Sequence, residues 1–236
     1  MNSMKILIYK SAEDKIRENS KFTEDLIQEI QELSSDYNIE LTMDYNKITN
    51  IEKIKESDVI IIFAHGDHDC IYHIYNQVHC ENFIDKDNIN ILAGKKVITF
   101  ACYTGAELGQ LAEHSGCEAY LGFKSKIYRE FKDSNDNKEF LKKYGIQPEV
   151  FISKIYSIAF HETLLRSFQN NFSFKKLQQY LKFTIKSTLR EQLSSEKNFL
   201  YHLQCEESIH RTADSINVTG SENAEILSPI HSQTSN

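Results

Sequence analysis

Apolar residues recur along this chain in two rhythms, and its first half alternates between them. Residues 58–65 carry an unbroken run, Ile60-Ile61-Ile62-Phe63-Ala64, that stops at His65-Gly66. Residues 96–101 carry another, Val97-Ile98-Thr99-Phe100-Ala101, broken only by a threonine and stopping at Cys102. Runs of that length without alternation fit strands buried on both faces, as parallel strands covered by helices are. Residues 5–9 and 119–123 read as further strands, and 39–43 alternates loosely as another. Between them, 22–33 places Leu26, Ile27, Ile30 and Leu33 at helical spacing, with acids on the other face. Residues 51–54 predict a short helix or turn, 87–92 a short helix stopped by Ala93-Gly94, and 106–114 a helix ended by Ser115-Gly116. Residues 70–83 differ, because alternation around Tyr75-Asn76-Gln77 predicts a small inserted antiparallel hairpin. Strands and helices in this succession predict an α/β fold, a three-layer and mostly parallel sheet flanked by helices.

Beyond residue 123 the pattern changes. The polar stretch 132–138 predicts an exposed loop suited to activation or substrate contact. Two long helices follow at 149–166 and 174–193, the second with Lys182, Lys186 and Arg190 four residues apart on a face expected to be solvated. From Glu206 onward Ser, Asn, Thr and Glu dominate with little periodicity. The expected organisation is therefore one domain over 1–205, with its core at 4–123 and C-terminal helices at 149–193, and a flexible tail over 206–236.

Composition narrows the class. With 236 residues, 40% hydrophobic and 26% charged, the chain can bury one good core. A net charge of −7 argues against a nucleic-acid footprint, which needs a concentrated basic face. No secretory h-region follows Met1, and no apolar run approaches membrane-spanning length, so a cytoplasmic protein without stable membrane insertion is expected. The five cysteines Cys70, Cys80, Cys102, Cys117 and Cys205 are an odd set that fits free thiols in a reducing compartment. Cys102 is then available to react.

Two neighbouring parallel strands would deliver His65 and Cys102 to the same edge of the sheet. A thiolate can attack a peptide carbonyl, and the leaving amine must collect a proton from an imidazole within reach. A thiol just before a helix start near Gly105 also sits close to backbone N–H groups, which favour its anionic form. The oxyanion needs two donors, and the amides of Gly66 and Cys102 are the natural pair, with Gly66 offering no side chain to block approach.

Ala64-His65-Gly66 ending one strand and Ala101-Cys102 ending the next resemble the His-Gly and Ala-Cys signatures of the caspase-like (clan CD) cysteine peptidases. Residues 92–105, reading LAGKKVITFACYTG, together with 111–123, are similar to the CHAT branch, where a Ser-Ala-Cys-x-Thr-Gly motif precedes a small-residue helix and a strand. Phe100 stands where that motif has Ser. The resemblance covers residues 58–123. It implies a caspase-like fold, Cys102 as nucleophile, His65 as general acid/base, Gly66 with the Cys102 amide as oxyanion hole, and no cofactor. It also implies regulated limited proteolysis of a protein partner, encoded nearby and of the gasdermin-like pore-forming kind found in antiviral defence modules. Activation would come from a separate partner or from cleavage within 132–138. Such folds build the pocket for the residue before the cut from strand ends and the loops after them. Asp67 and Asp69 predict a basic residue there, Lys10 argues the other way, and Phe100 and Tyr103 complete the expected lining.

Two other classes fit some of the same residues. The stretch from His65 through Asp67, His68, Asp69 and Cys70, with His73, His79 and Cys80 behind it, is dense in metal ligands and suggests a metal-dependent hydrolase using His65, Asp67 and His68. The His-x-His-x-Asp-His pattern of metallo-β-lactamases is incomplete here, however, and no compact Cys-x-x-Cys site is present. A catalytically inactive caspase-like adaptor would keep the fold with Cys102 unreactive. A strand-end cysteine taken singly is commonly a small core residue, the role expected of Cys80 and Cys117. The ordered pair of strand ends in an α/β frame favours the peptidase.

Overall fold

Each apolar run becomes a strand of one sheet in the computed structural model, which describes residues 4–33, 37–42, 46–74, 80–127, 148–195 and 202–227. The strands are β1 (Met4–Lys10), β2 (Tyr37–Thr42), β3 (Val59–Phe63), β4 (Ile71–Ile74), β5 (Cys80–Ile84), β6 (Lys96–Phe100), β7 (Ala119–Phe123) and β8 (Ile216–Gly220). Six of them form a sheet of order β2-β1-β3-β6-β7-β8, parallel except for β8, while β4 and β5 form the separate antiparallel hairpin. All five residues of β3, β6 and β7 are buried, as continuous apolar runs between two helical layers require.

Register explains the layering. Ile8, Ile61, Ile98 and Leu121 stand side by side across four strands and bury on one face. Leu7, Ile60, Val97 and Tyr120 form the adjacent row and bury on the other. The helices in chain order are α1 (Asp14–Asn19), α2 (Thr23–Leu33), α3 (Lys47–Glu56), α4 (Glu107–His114), α5 (Pro148–Gln169), α6 (Phe174–Ser195) and α7 (His202–Asp214). The first face is covered by α2, α5, α6 and α7, with Leu177, Leu181, Ile185 and Leu189 forming the four-residue apolar stripe of α6. Ile54 of α3, Leu108 and Ala112 of α4 and the hairpin's Phe83 cover the second. Among the described residues no helix is long and apolar enough to cross a membrane.

Several boundaries differ from expectation. The expected tail over 206–236 is ordered structure as far as residue 227, where α7 and β8 complete the sheet and Ile209, Ala213, Ile216 and Ile226 bury in the main core. Its polar composition misled because β8 is an edge strand whose polar side chains bond the body: Asn217 donates to the Gly105 carbonyl at 3.0 Å and Thr219 to that of Gly109 at 2.8 Å. The short helix expected at 51–54 is the longer α3, begun by Asn46, whose Oδ1 accepts from the Ile48 and Thr49 amides. The helix expected at 87–92 is a 3-10 turn, Ile89–Leu92, and α1 was not foreseen. The stripe on α6 is only partly solvated, since Lys182 is half-buried and the Lys186 ammonium sits 2.6 Å from Asp214 on α7. The hairpin tip Tyr75-Asn76-Gln77, His79 and the loop 132–138 lie outside the described residues.

Candidate active site

Parallel register brings the chemistry to one place. Lys10, Phe63 and Phe100 end β1, β3 and β6 side by side, so His65 and Cys102, each two residues further on, leave the sheet at the same level. Both line a single cleft of about 450 Å³ between this sheet edge, α1 and the start of α5.

The turn carrying Cys102 is built tightly. Tyr103 takes a left-handed backbone (φ 61°), a conformation that costs a non-glycine residue about 1 kcal/mol and needs support from its surroundings. That support comes from the Tyr103 amide donating to the Ser125 carbonyl (3.2 Å), the Gly105 amide to that of Phe123 (2.9 Å), and the Thr104 hydroxyl to that of Ala101 (3.0 Å). Cys102 therefore sits in a turn five residues ahead of α4, not on the first turn of the helix. Gly66 has no room for a side chain: a Cβ there would meet the Thr104 methyl at 2.6 Å and the Cys102 carbonyl oxygen at 2.8 Å. Only glycine lets the two strand ends approach this closely.

His65 is held from the third strand end. Its Nε2 lies 2.8 Å from the Glu13 carboxylate, on the segment joining β1 to α1. A carboxylate only accepts, so Nε2 carries the hydrogen and the Nδ1 of a neutral ring is left as the proton acceptor. The Cys102 Sγ accepts a hydrogen bond from the Ile127 amide at 3.3 Å, a contact that strengthens when the sulfur is anionic. Behind His65 the chain is pinned by a bridge between Gly66 and Ile71, which uses the Asp67 amide to the Cys70 carbonyl (2.9 Å) and the Tyr72 amide to the His65 carbonyl (3.0 Å). The Gly66 amide is not one of the bridge's donors. A thiol, an imidazole oriented by a carboxylate, and nearby main-chain amides are a set able to carry out nucleophilic acyl transfer.

Other expected residues are placed elsewhere. Asp67 and Asp69 are exposed on the turn after Gly66 and do not line the cleft, and Asp67 Oδ1 instead accepts from the His68 amide at 2.8 Å. Lys10 is 1% exposed beneath α2, donating to the Thr23 hydroxyl at 3.1 Å, and it too is absent from the lining. Burial pushes its pKa down, against the opposing pull of Glu24. A side chain ending a strand alternates to one face, and Lys10 falls on the face roofed by α2. Tyr103 stacks on His68 with ring centres 4.6 Å apart, outside the lining, whereas Phe100 forms part of the cleft wall. The pocket charge expected from Asp67 and Asp69 is therefore not there.

The metal-ligating residues of the same stretch separate in space. His65 faces Glu13, His68 faces Tyr103, and His73 is buried with Nδ1 2.8 Å from the Tyr9 hydroxyl. Among the described residues no group of three or more His, Cys, Asp or Glu side chains is placed to hold a metal ion. Cys70 and Cys117 are buried, with burial pushing the thiol of Cys117 up to about 12, whereas Cys80, expected to pack in the core, is exposed at the start of β5. Glu13 and Ile127 were not singled out from the sequence. Nothing in the composition of the segment after β1 distinguishes Glu13 from Asp14 beside it.

No protein-family model matches the chain, and no curated protein is significantly similar to it.

Proposed function

We propose that this protein is a cysteine endopeptidase of the caspase-like type, resembling the CHAT branch, that cuts a protein partner at a limited number of sites. The observation supporting it most strongly is the convergence of His65 and Cys102, from adjacent parallel strand ends, on one cleft. Cys102 gives its thiol proton to His65, and its Sγ attacks the scissile carbonyl, forming the S–C bond and moving an electron pair onto oxygen. The amides of Gly66 and Cys102 stabilise that oxyanion. As it collapses, the C–N bond breaks and the amine leaves with the proton held by His65. Water, giving a proton to His65, then attacks the thioester and releases the acid and the thiol. Glu13 acts as a positioning residue, keeping the hydrogen on His65 Nε2 throughout. The partner expected from the resemblance is a protein encoded nearby, and a pore former of the gasdermin-like kind is the first to co-express with the chain.

Intact-mass spectrometry after incubation with peptide ketone probes tests the site. One adduct mapped to Cys102, absent in Cys102→Ala and formed at least about a hundredfold more slowly in His65→Ala, is expected. Adducts spread over Cys80 and other thiols at equal rates would refute the assignment.

A further inference from the structure

The cleft beside Cys102 is graded from floor to rim. Its buried surface is apolar, made of Ile16, Ala64, Phe100, Ile127 and Ile152. A small annex of about 20 Å³ beneath shares Ile16, Asn19, Phe100 and Ile127 and adds Phe63, Phe160 and Ser20, whose hydroxyl is spent on the Ile16 carbonyl at 2.6 Å. The polar groups at mid-depth are engaged with one another, since Asn19 accepts from the Ser153 hydroxyl through its side chain and from that of Ser157 through its carbonyl (3.0 Å). Among the described residues of the lining, the Lys and Glu side chains stand at the exposed rim: Lys15, Lys126 and Lys154 among Glu18 and Glu149.

A charged side chain seated on this floor would lose its hydration and meet no buried counter-charge among the described lining residues. A hydrocarbon side chain would replace water against five buried apolar residues at no such cost. Phe100 lies two residues before Cys102 on the same strand direction, and the Ile127 amide touches the sulfur, so the floor adjoins the atom that would carry the acyl group. Resting on the peptidase reading, we propose that the cleft selects an apolar residue, such as leucine or methionine, immediately before the cut. Ile16 and Ile127 set that preference, and the mixed-sign rim contacts the peptide further from the bond.

Peptide ketones identical except for a terminal Leu, Met, Arg or Asp decide the question through the rate of Cys102 adduct formation in the full chain. Leu and Met probes are expected to react at least about tenfold faster than Arg or Asp, the scale of discrimination an apolar pocket supplies. Faster labelling of Cys102 by Arg or Asp overturns the apolar assignment and leaves the peptidase reading standing, while labelling by none of the four overturns both. Ile16→Asp places a carboxylate on the floor and is expected to raise the Arg rate relative to Leu. An unchanged ranking in folded Ile16→Asp, judged by an unaltered melting profile, overturns the role given to the floor.

Discussion

At the scale of single residues, the contact between His65 and Glu13 separates orientation from chemistry. If the carboxylate fixes the imidazole tautomer, Glu13→Gln keeps the shape but offers an amide that can also donate, releasing the ring to turn over. Labelling of Cys102 is expected to slow about tenfold to a hundredfold, with the pH optimum displaced and probe affinity little changed. A loss confined to affinity would instead make Glu13 a substrate contact. The thiols offer a second measurement. Cys117 is 5% exposed, its S–H lies against the Lys95 carbonyl at 3.1 Å, and burial holds the thiol at about 12 against an ordinary 9.0. Its folded pKa is raised, so its contribution to stability is full below pH 9 and is lost as pH rises from 9 towards 12. The slope is at most about 1.4 kcal/mol per pH unit, the effect of one proton. Cys117→Ala is expected to lose its share of that alkaline slope in denaturant titrations at pH 8.5 and 10.5, and parallel wild-type and variant slopes would refute it.

At the scale of elements, the cap of α3 is the simplest test of local construction. Asn46 satisfies two amides at the helix start, at 2.9 and 3.4 Å, and Asn46→Ala is expected to destabilise the protein by about 1 kcal/mol in chemical denaturation. The buried strands were legible because a sheet covered on both faces favours continuous apolar residues, and the sequence supplies them at Val59–Phe63 and, broken only by Thr99, at residues 97–101. The same runs disclosed His65, Gly66 and Cys102, because parallel register fixes where strand ends emerge. Elements whose burial rests on a few residues were hidden. Among the described side chains of α7 the buried apolar ones are Ile209 and Ala213, and β8 reaches the sheet edge with Asn217 and Thr219. Pocket lining was hidden for another reason: Ile16, Ile127 and Ile152 come from three distant segments, and closeness in sequence to His65 drew attention to Asp67 and Asp69 instead.

At the scale of the whole molecule, the C-terminal segment and the candidate site are mechanically joined. β8 pairs along all of β7, and the segment after it exchanges main-chain hydrogen bonds with the α5–α6 junction, including Ile226 to Phe172 and Phe174 to Ala224, both at 3.0 Å. From β8, Asn217 reaches back to the Gly105 carbonyl, three residues from Cys102, in the turn that also abuts the β7 backbone. A Cβ at Gly105 would lie 2.5 Å from the Gly122 carbonyl carbon, so this turn has no slack on the β7 side and is held by β8 on the other. Asn217→Ala removes only the tie. Leaving one half-buried carbonyl without its donor costs about 1 kcal/mol, which for a chain of this size lowers the melting temperature by about 2–4 °C. If the tie also keeps Tyr103 and Cys102 in register with His65, labelling of Cys102 should fall several-fold at temperatures well below that melting point. A variant that melts earlier yet labels at the wild-type rate would show that β8 supports the sheet without governing the turn. Removal of everything after residue 214 is the harsher version: it strips the β7 edge and uncovers the core beside Ile216 and Ile226, and aggregation during expression is the expected outcome.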